Sequence, residues 1–363
     1  MMSGSESRIA SSLATDTLMG DSSMLIKRDS DVWFEDGNIV VVAQSTAFRF
    51  HKSVVSLHSS LFRDLFSIPQ PAGGELGGAP SGHLQRDQVP SERALFVFSW
   101  SLVELELLPP GPSSLGRSHD TRYLHPDRIV TFPVLAALAR LSHKYQLDQL
   151  LSAVVHRLKH HFTTCLSAWD ARGGADRRLL LRLSAPSAIE ALNLFRLIDR
   201  PDMIPIALYE CAQLNPVFLV HGGTRSDGIT REQLSPADME LCMEIKEELL
   251  QATACLLTRL CEACDTRIET VTVNPGSGCA SPADCVEGLR TVISRAHRDL
   301  SECLSADPLD MYYMSAAVSS PVTGEICRAC GTVVKVHYSE ERRRIWDSFP
   351  KLMGVEVAGW DSA

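Results

Sequence analysis

Eleven cysteines carry most of the reactive chemistry in this 363-residue chain, and ten of them fall between Cys211 and Cys330. Three spacings matter: Cys261-x2-Cys264, Cys279-x5-Cys285 and Cys327-x2-Cys330. A CxxC step lets two thiolates reach one metal ion from a tight turn, and a second pair of cysteines completes a tetrahedral four-thiolate zinc site. Cys327-Arg328-Ala329-Cys330-Gly331 meets the turn requirement best, because Gly follows the second cysteine. Cys279 follows Pro275-Gly276-Ser277-Gly278, and Cys285 follows a helix-start signature at Ser281, so these two form the matching half-site. A site of this kind would be structural, since four thiolates leave no position open for a substrate. The competing reading treats each cysteine as a small buried hydrophobe. It suits Cys242, Cys255 and Cys303, which have helical apolar neighbours, and Cys261-x2-Cys264, which ends an amphipathic helix at Leu256, Leu257 and Leu260. The step from Cys285 to Cys327 is also far longer than in an ordinary zinc finger. Both readings stay open for Cys279, Cys285, Cys327 and Cys330, with His297 and His337 as reserve ligands.

Other candidates for chemistry are weaker. His51 sits where a strand meets a helix, and no Ser/His/Asp or Cys/His arrangement can be placed around it, so it reads as an architectural histidine bonded to backbone or a nearby acid. His156, His160 and His161 close a helix, where an i, i+4 metal pair competes with the simpler attraction of histidine for a helix C-terminus. Arg342 to Arg344 follow Glu340-Glu341, and the Arg172 to Arg182 stretch contains Asp176, so both read as solvated faces. No phosphate loop, dinucleotide fingerprint, His-Glu-x-x-His or Gly-x-Ser-x-Gly motif is present. The chain is read as non-enzymatic.

The elements that must position these residues follow from pattern and punctuation. Apolar residues make up 45% and charged residues 22%, which suits a globular protein with a sizeable core. The net charge of −9 argues against nucleic acid or an acidic membrane as partner. The opening residues lack a basic flank and apolar core, and the cysteine total is odd, so an intracellular, reducing setting is expected. Residues 1–24 read as a disordered tail. Ile39 to Ala43 is a β-branched strand, Ser45 to Ala47 a connector, and Phe48 to His51 a second strand leading into helix. Leu57, Leu61 and Leu65, with Phe62 and Phe66, supply the expected buried stripe of that helical segment. Gln70 to Arg122 is dense in Gly, Pro and Ser and reads mostly as loop, with Ala94 to Leu108 as an embedded strand or short helix. Two helices follow, one with Leu135, Leu138, Leu141 and Tyr145 on its apolar face, the other with Leu150, Val154, Leu158 and Phe162. The rest reads as almost wholly helical. Helix starts are expected at Ser187, through the capping box Ser187-Ala188-Ile189-Glu190, and at Ser235 and Ser281, each followed by Pro and an acid. Arg200-Pro201 should end the first of these helices, the Ser235 helix should reach towards Leu260, and a last helix should be capped by Ser339 and stop before Pro350.

The segment Asp36-Gly37-Asn38-Ile39-Val40-Val41-Val42, with Phe48-Arg49-Phe50-His51-Lys52 and the run through Ser59, Phe62 and Phe66, resembles the opening of a BTB/POZ domain. Phe132-Pro133 through Tyr145 and on to Phe162 resembles that domain's closing helix pair. Trp33-Phe34-Glu35-Asp36-Gly37-Asn38 and Ile68-Pro69-Gln70-Pro71 are similar to the BTB proteins abundant in mushroom-type (basidiomycete) fungi. That group often carries a Cys-x5-Cys, a late Cys-x2-Cys and a Trp-x-x-Leu-Pro-like ending, which Trp346 to Pro350 echoes. The resemblance implies motif roles for Phe48, His51, Ser59, Phe62, Phe66 and Tyr145. The chain departs from the family at about 73–121, where the family supplies a third strand and a helix. Cullin-type ubiquitin-ligase adaptors bind through that central region.

The expected fold is therefore an α+β BTB/POZ-like domain over 25–165 with an atypical insertion at about 73–121, a linker over 166–185, an all-α cysteine-containing domain over 186–353 and a tail over 354–363. The expected function is protein association, with protein partners or a second copy as a homodimer. No membrane, nucleic acid or small-molecule substrate is expected. Alternatives are a zinc-stabilised regulatory protein and a ubiquitin-ligase substrate adaptor. A structural zinc is the one cofactor considered.

Overall fold

The computed structural model describes residues 17–19, 25–43, 46–68, 75–76, 79–83, 130–172, 183–225, 228–274, 278–298, 305–309 and 326–361. The expectations for Ala94 to Leu108, for Cys303 and for most of 73–121 and 1–24 lie outside the described residues. The chain divides into two compact units at His156/Arg157, inside the helix Asp148–Lys159. The sequence pattern places the end of the first domain at about 165.

In the first unit, strands β1 (Thr17–Met19), β2 (Leu25–Trp33), β3 (Ile39–Ala43), β4 (Thr46–Phe50), β5 (Glu75–Leu76) and β6 (Ala79–His83) form one sheet in the order β1-β2-β4-β3-β6-β5. β3 and β4 pair antiparallel with Val40 opposite Arg49 and Val42 opposite Ala47. All of Ile39, Val40, Val41 and Val42 are buried, because β3 is central and both its faces are covered. A continuous apolar run rather than an alternating one is the signature of such a strand. Two details differ from expectation. β4 begins at Thr46, inside the expected connector, and β6, from a Pro/Gly stretch read as loop, pairs parallel with β3.

Helices α1 (Lys52–His58) and α2 (Ser60–Ser67) follow β4. The expected stripe of Leu57, Leu61 and Leu65 is not buried; these three are 60%, 36% and 45% exposed. Ser59 adopts an extended conformation (φ −136°, ψ 118°) and splits one helix into two, so a four-residue period counted across it lands on the wrong face. Val55 and Phe62 are the buried members instead. Ser59 caps α2 by accepting from the Phe62 amide and donates to the Tyr145 carbonyl. Helices α3 (Phe132–Lys144) and α4 (Asp148–Lys159) match expectation, with Leu135, Leu138, Leu141, Leu150, Val154, Leu158 and Phe162 all buried.

Among the described residues the second unit is helical apart from a small ladder, β7 (Gly223–Thr224) with β8 (Arg231–Glu232). Its helices are α5 (Leu166–Ala171), α6 (Ala185–Leu197), α7 (Ile204–Ala212), α8 (Pro216–His221), α9 (Pro236–Val273), α10 (Pro282–Arg298) and α11 (Arg328–Leu352). The start of α6 is three residues earlier than the capping-box reading. Ser184 occupies the N-cap, Pro186 the first turn, and Ser187 and Glu190 are buried helical residues. α9 starts as expected, its Ser235 hydroxyl accepting from the Asp238 amide, but runs 38 residues to Val273, about 57 Å at 1.5 Å per residue.

α11 departs most from its sequence reading. It starts at Arg328 with Cys327 as N-cap, so Ser339 is mid-helix, and Pro350 lies inside it. A proline has no amide to donate to the carbonyl four residues back. Here that carbonyl belongs to Trp346 and accepts from the Trp360 indole nitrogen instead, at 3.0 Å, so the helix runs one more turn. α10 and α11 both pack on α9 through Leu256, Leu260 and Cys264 of α9, Leu289 and Val292 of α10, and Val334 and Tyr338 of α11.

Candidate metal centre

The three-helix packing explains why four cysteines distant in sequence meet. α10 and α11 both run antiparallel to α9: Leu289 and Val334 sit against its middle, while Cys285 and Cys330, nearer the starts of their helices, sit against Val271 near its end. The N-termini of α10 and α11 therefore converge at the C-terminal end of α9. Each half-site has a local cause. Cys327 is the N-cap of α11 and Cys330 lies three residues on, a spacing that returns to the same helix face. Cys285 is one turn into α10, its amide bonded to the Ser281 carbonyl, and Cys279 lies just before that turn, after Gly278 at φ +77°.

The four sulfurs of Cys279, Cys285, Cys327 and Cys330 all lie within 4.8 Å of one another. Cys279 and Cys327 are 3.8 Å apart. A zinc–sulfur bond of about 2.3 Å makes the edge of a tetrahedral four-sulfur shell about 3.8 Å. A disulfide would need about 2.05 Å, and all four are free thiols. Packing around them is apolar, through Val271, Val286 and Ile326. Gly288 makes that packing possible: a Cβ there would come within 2.5 Å of Ile326 Cγ1, next to Cys327.

Donors around the sulfurs favour negative charge, and burial of the inner pair opposes it. Two helix N-termini point at the cluster, which stabilises negative charge. The Arg267 Nε donates to Cys330 Sγ at 3.3 Å from a buried position, and the Cys327 amide donates to Cys285 Sγ at 3.1 Å. The Cys330 and Ala280 amides facing the Cys327 sulfur hold its thiol down at about 6. Burial pushes Cys285 up to about 12, and burial also raises Cys330 against the opposing pull of Arg267. Cys327 is thus the first thiolate offered to a cation, and full ligation has to expel protons from the inner pair.

His297 and His337 are not in the cluster; both are exposed, and His337 faces Glu340 at 3.8 Å. Cys264 and Cys242 are buried as expected, whereas Cys255 is exposed on α9 rather than in a core. The structure brings together Ser59, Phe62, Phe66 and Tyr145, with Phe62 5.1 Å from Tyr145 and 5.7 Å from Phe66. Phe48 is buried in β4, and His51 Nε2 lies 3.4 Å from Asp36.

Sequence reasoning missed three groups. Arg342, read as solvated, is 2% exposed and forms a two-pronged bond to Asp170 plus a bond to the Leu309 carbonyl. Arg172 likewise is no solvated residue: it lies 3.8 Å over the Trp169 ring and pairs with Glu210, which also faces His161 at 3.4 Å. His161 is buried, and burial lowers its pKa despite the bond to Glu210, so Arg172 carries the positive charge of the trio at neutral pH. Arg267 is the missed residue at the sulfurs, and no local signal identifies it, because its contact lies 63 positions away.

No helix among the described residues is long and apolar enough to cross a membrane. No protein-family model matches the chain, and comparison with curated proteins and with solved structures returned no match.

Proposed function

We propose that this protein is a non-catalytic interaction module of an intracellular, reducing setting, whose first unit associates with protein partners in the manner of a BTB domain and whose helical second unit is fastened by one structural zinc ion. The observation that carries the zinc is the convergence of four free sulfurs within 4.8 Å at the meeting point of three helices. Cys279, Cys285, Cys327 and Cys330 would all be ligands. A closed four-thiolate shell gives the ion a fastening role, since no coordination position is left for a reacting molecule. Arg267 and the two helix N-termini would offset the surplus negative charge of the shell. Zinc here would tie the starts of α10 and α11 to each other, adding to the small apolar cluster around Val271 at that end of α9.

The interaction reading rests on the residues that resemble a BTB domain and on the way Ser59, Phe62 and Tyr145 join α2 to the end of α3. Light scattering on the full chain should give a dimer mass; a monomer at tens of micromolar would remove self-association. Elemental analysis of protein purified without added metal should give one zinc per chain. Cys285→Ser with Cys330→Ser should bring that to zero, and a high-affinity chelator should lower the Tm of the parent but not of the double variant.

A further inference from the structure

The four sulfurs are not equally placed. Cys285 and Cys330 are fully buried, whereas Cys279 and Cys327 are partly exposed. The exposed pair is also a close pair, 3.8 Å sulfur to sulfur. Anything arriving from solvent therefore meets these two sulfurs first, and they lie within reach of each other. The inner pair is packed with Val271 at the end of α9.

We propose that the site is also a peroxide-operated release switch, in which a hydroperoxide joins Cys279 to Cys327 and expels the ion; this rests on the zinc reading above. The Cys327 thiolate attacks one peroxide oxygen, an S–O bond forms, the O–O bond breaks, and the other oxygen leaves as hydroxide from hydrogen peroxide, or as an alkoxide that takes a proton from water when the oxidant is an organic hydroperoxide. The Cys279 thiolate then attacks the sulfenic sulfur, the S–S bond forms, and hydroxide leaves. Two sulfurs lose two electrons and one peroxide gains them. The ion keeps only Cys285 and Cys330, two thiolates of the four it needs, and departs as these take up protons from water. Closing the pair to about 2.05 Å asks for movement of two side chains, one on the stretch ahead of α10 and one at a helix N-cap. The Leu256, Leu260, Leu289 and Val334 cluster lies further along the bundle and stays packed, so the change is confined to the sulfur end. Reduction by a thiol, with zinc present, restores the site.

The test is a titration of the zinc-loaded full chain with hydrogen peroxide, following ion release with a chromogenic chelator and mapping disulfides in unreduced peptides. Zinc should appear at the rate at which the Cys279–Cys327 disulfide forms, one ion per chain, and thiol plus zinc should reverse both. Cys255→Ser removes an exposed thiol elsewhere on α9 and should leave the yield of zinc unchanged. Retention of zinc at peroxide levels that already oxidise Cys255 would overturn the switch and leave the zinc reading standing. So would a first disulfide through Cys285 or Cys330. A chain that binds no zinc overturns both.

Discussion

Replacing Arg342 with methionine isolates a contact that holds α11 to α5. The guanidinium is 3% exposed and its partner Asp170 is 35% exposed; removing the cation leaves a half-buried carboxylate and the Leu309 carbonyl without their donor. Breaking a fully buried pair from one side costs about 3–5 kcal/mol. Water reaches Asp170, so the electrostatic share is reduced, while the lost bond to Leu309 restores about 1 kcal/mol of it. We expect about 2–4 kcal/mol, equivalent to a fall in Tm of about 4–16 °C for a unit of roughly 200 residues. Urea unfolding followed by tryptophan emission suits the question, because Trp169, Trp346 and Trp360 are grouped around this contact: Trp346 lies 5.8 Å from Trp169 and 5.0 Å from Trp360. The midpoint should fall with an unchanged slope. Asp170→Asn added to Arg342→Met should recover part of the loss, since it removes the orphaned charge. An Arg342→Met protein within about 0.5 kcal/mol of the parent, the range of an ordinary surface change, would show that the pair is not buried and that the sequence reading of a solvated face was correct.

Gly288→Ala should place a methyl against Ile326 and displace Cys327, lowering zinc affinity at least tenfold in a competition titration and costing about 1–3 kcal/mol. His161 has a folded pKa below its unfolded value, so the stability it confers is complete above about 6.5 and falls as pH drops below that point. His161→Gln should therefore flatten the slope of urea midpoint against pH between 7 and 5.5, and an unchanged slope would refute this assignment. Ser59→Ala removes both the cap of α2 and the bond to Tyr145, and should destabilise the first unit by about 1–2 kcal/mol in thermal unfolding.

Local signals in the sequence were faithful where the cause was local. Ser235-Pro236 begins α9, the expected apolar faces of α3 and α4 are buried, and the spacings Cys279-x5-Cys285 and Cys327-x2-Cys330 do meet. The long step from Cys285 to Cys327, which weighed against a shared site, is immaterial once α10 and α11 are parallel neighbours with their starts together. Errors arose where one residue serves two demands. Cys327 is an N-cap without a capping oxygen, so the true start of α11 carries no recognisable cap and Ser339 attracted the assignment. Ser59 resets the helical phase, which hid the exposure of Leu57, Leu61 and Leu65. Arg342 looked solvated because its nearest acids in sequence are Glu340 and Glu341, whereas its partner is 172 positions away.

The central claim is one zinc ion bound by Cys279, Cys285, Cys327 and Cys330, and X-ray absorption at the zinc edge of the purified full chain tests it most directly. The expected spectrum fits a single shell of four sulfurs at about 2.3 Å. A shell containing nitrogen or oxygen ligands, or fewer than four sulfurs, would contradict it.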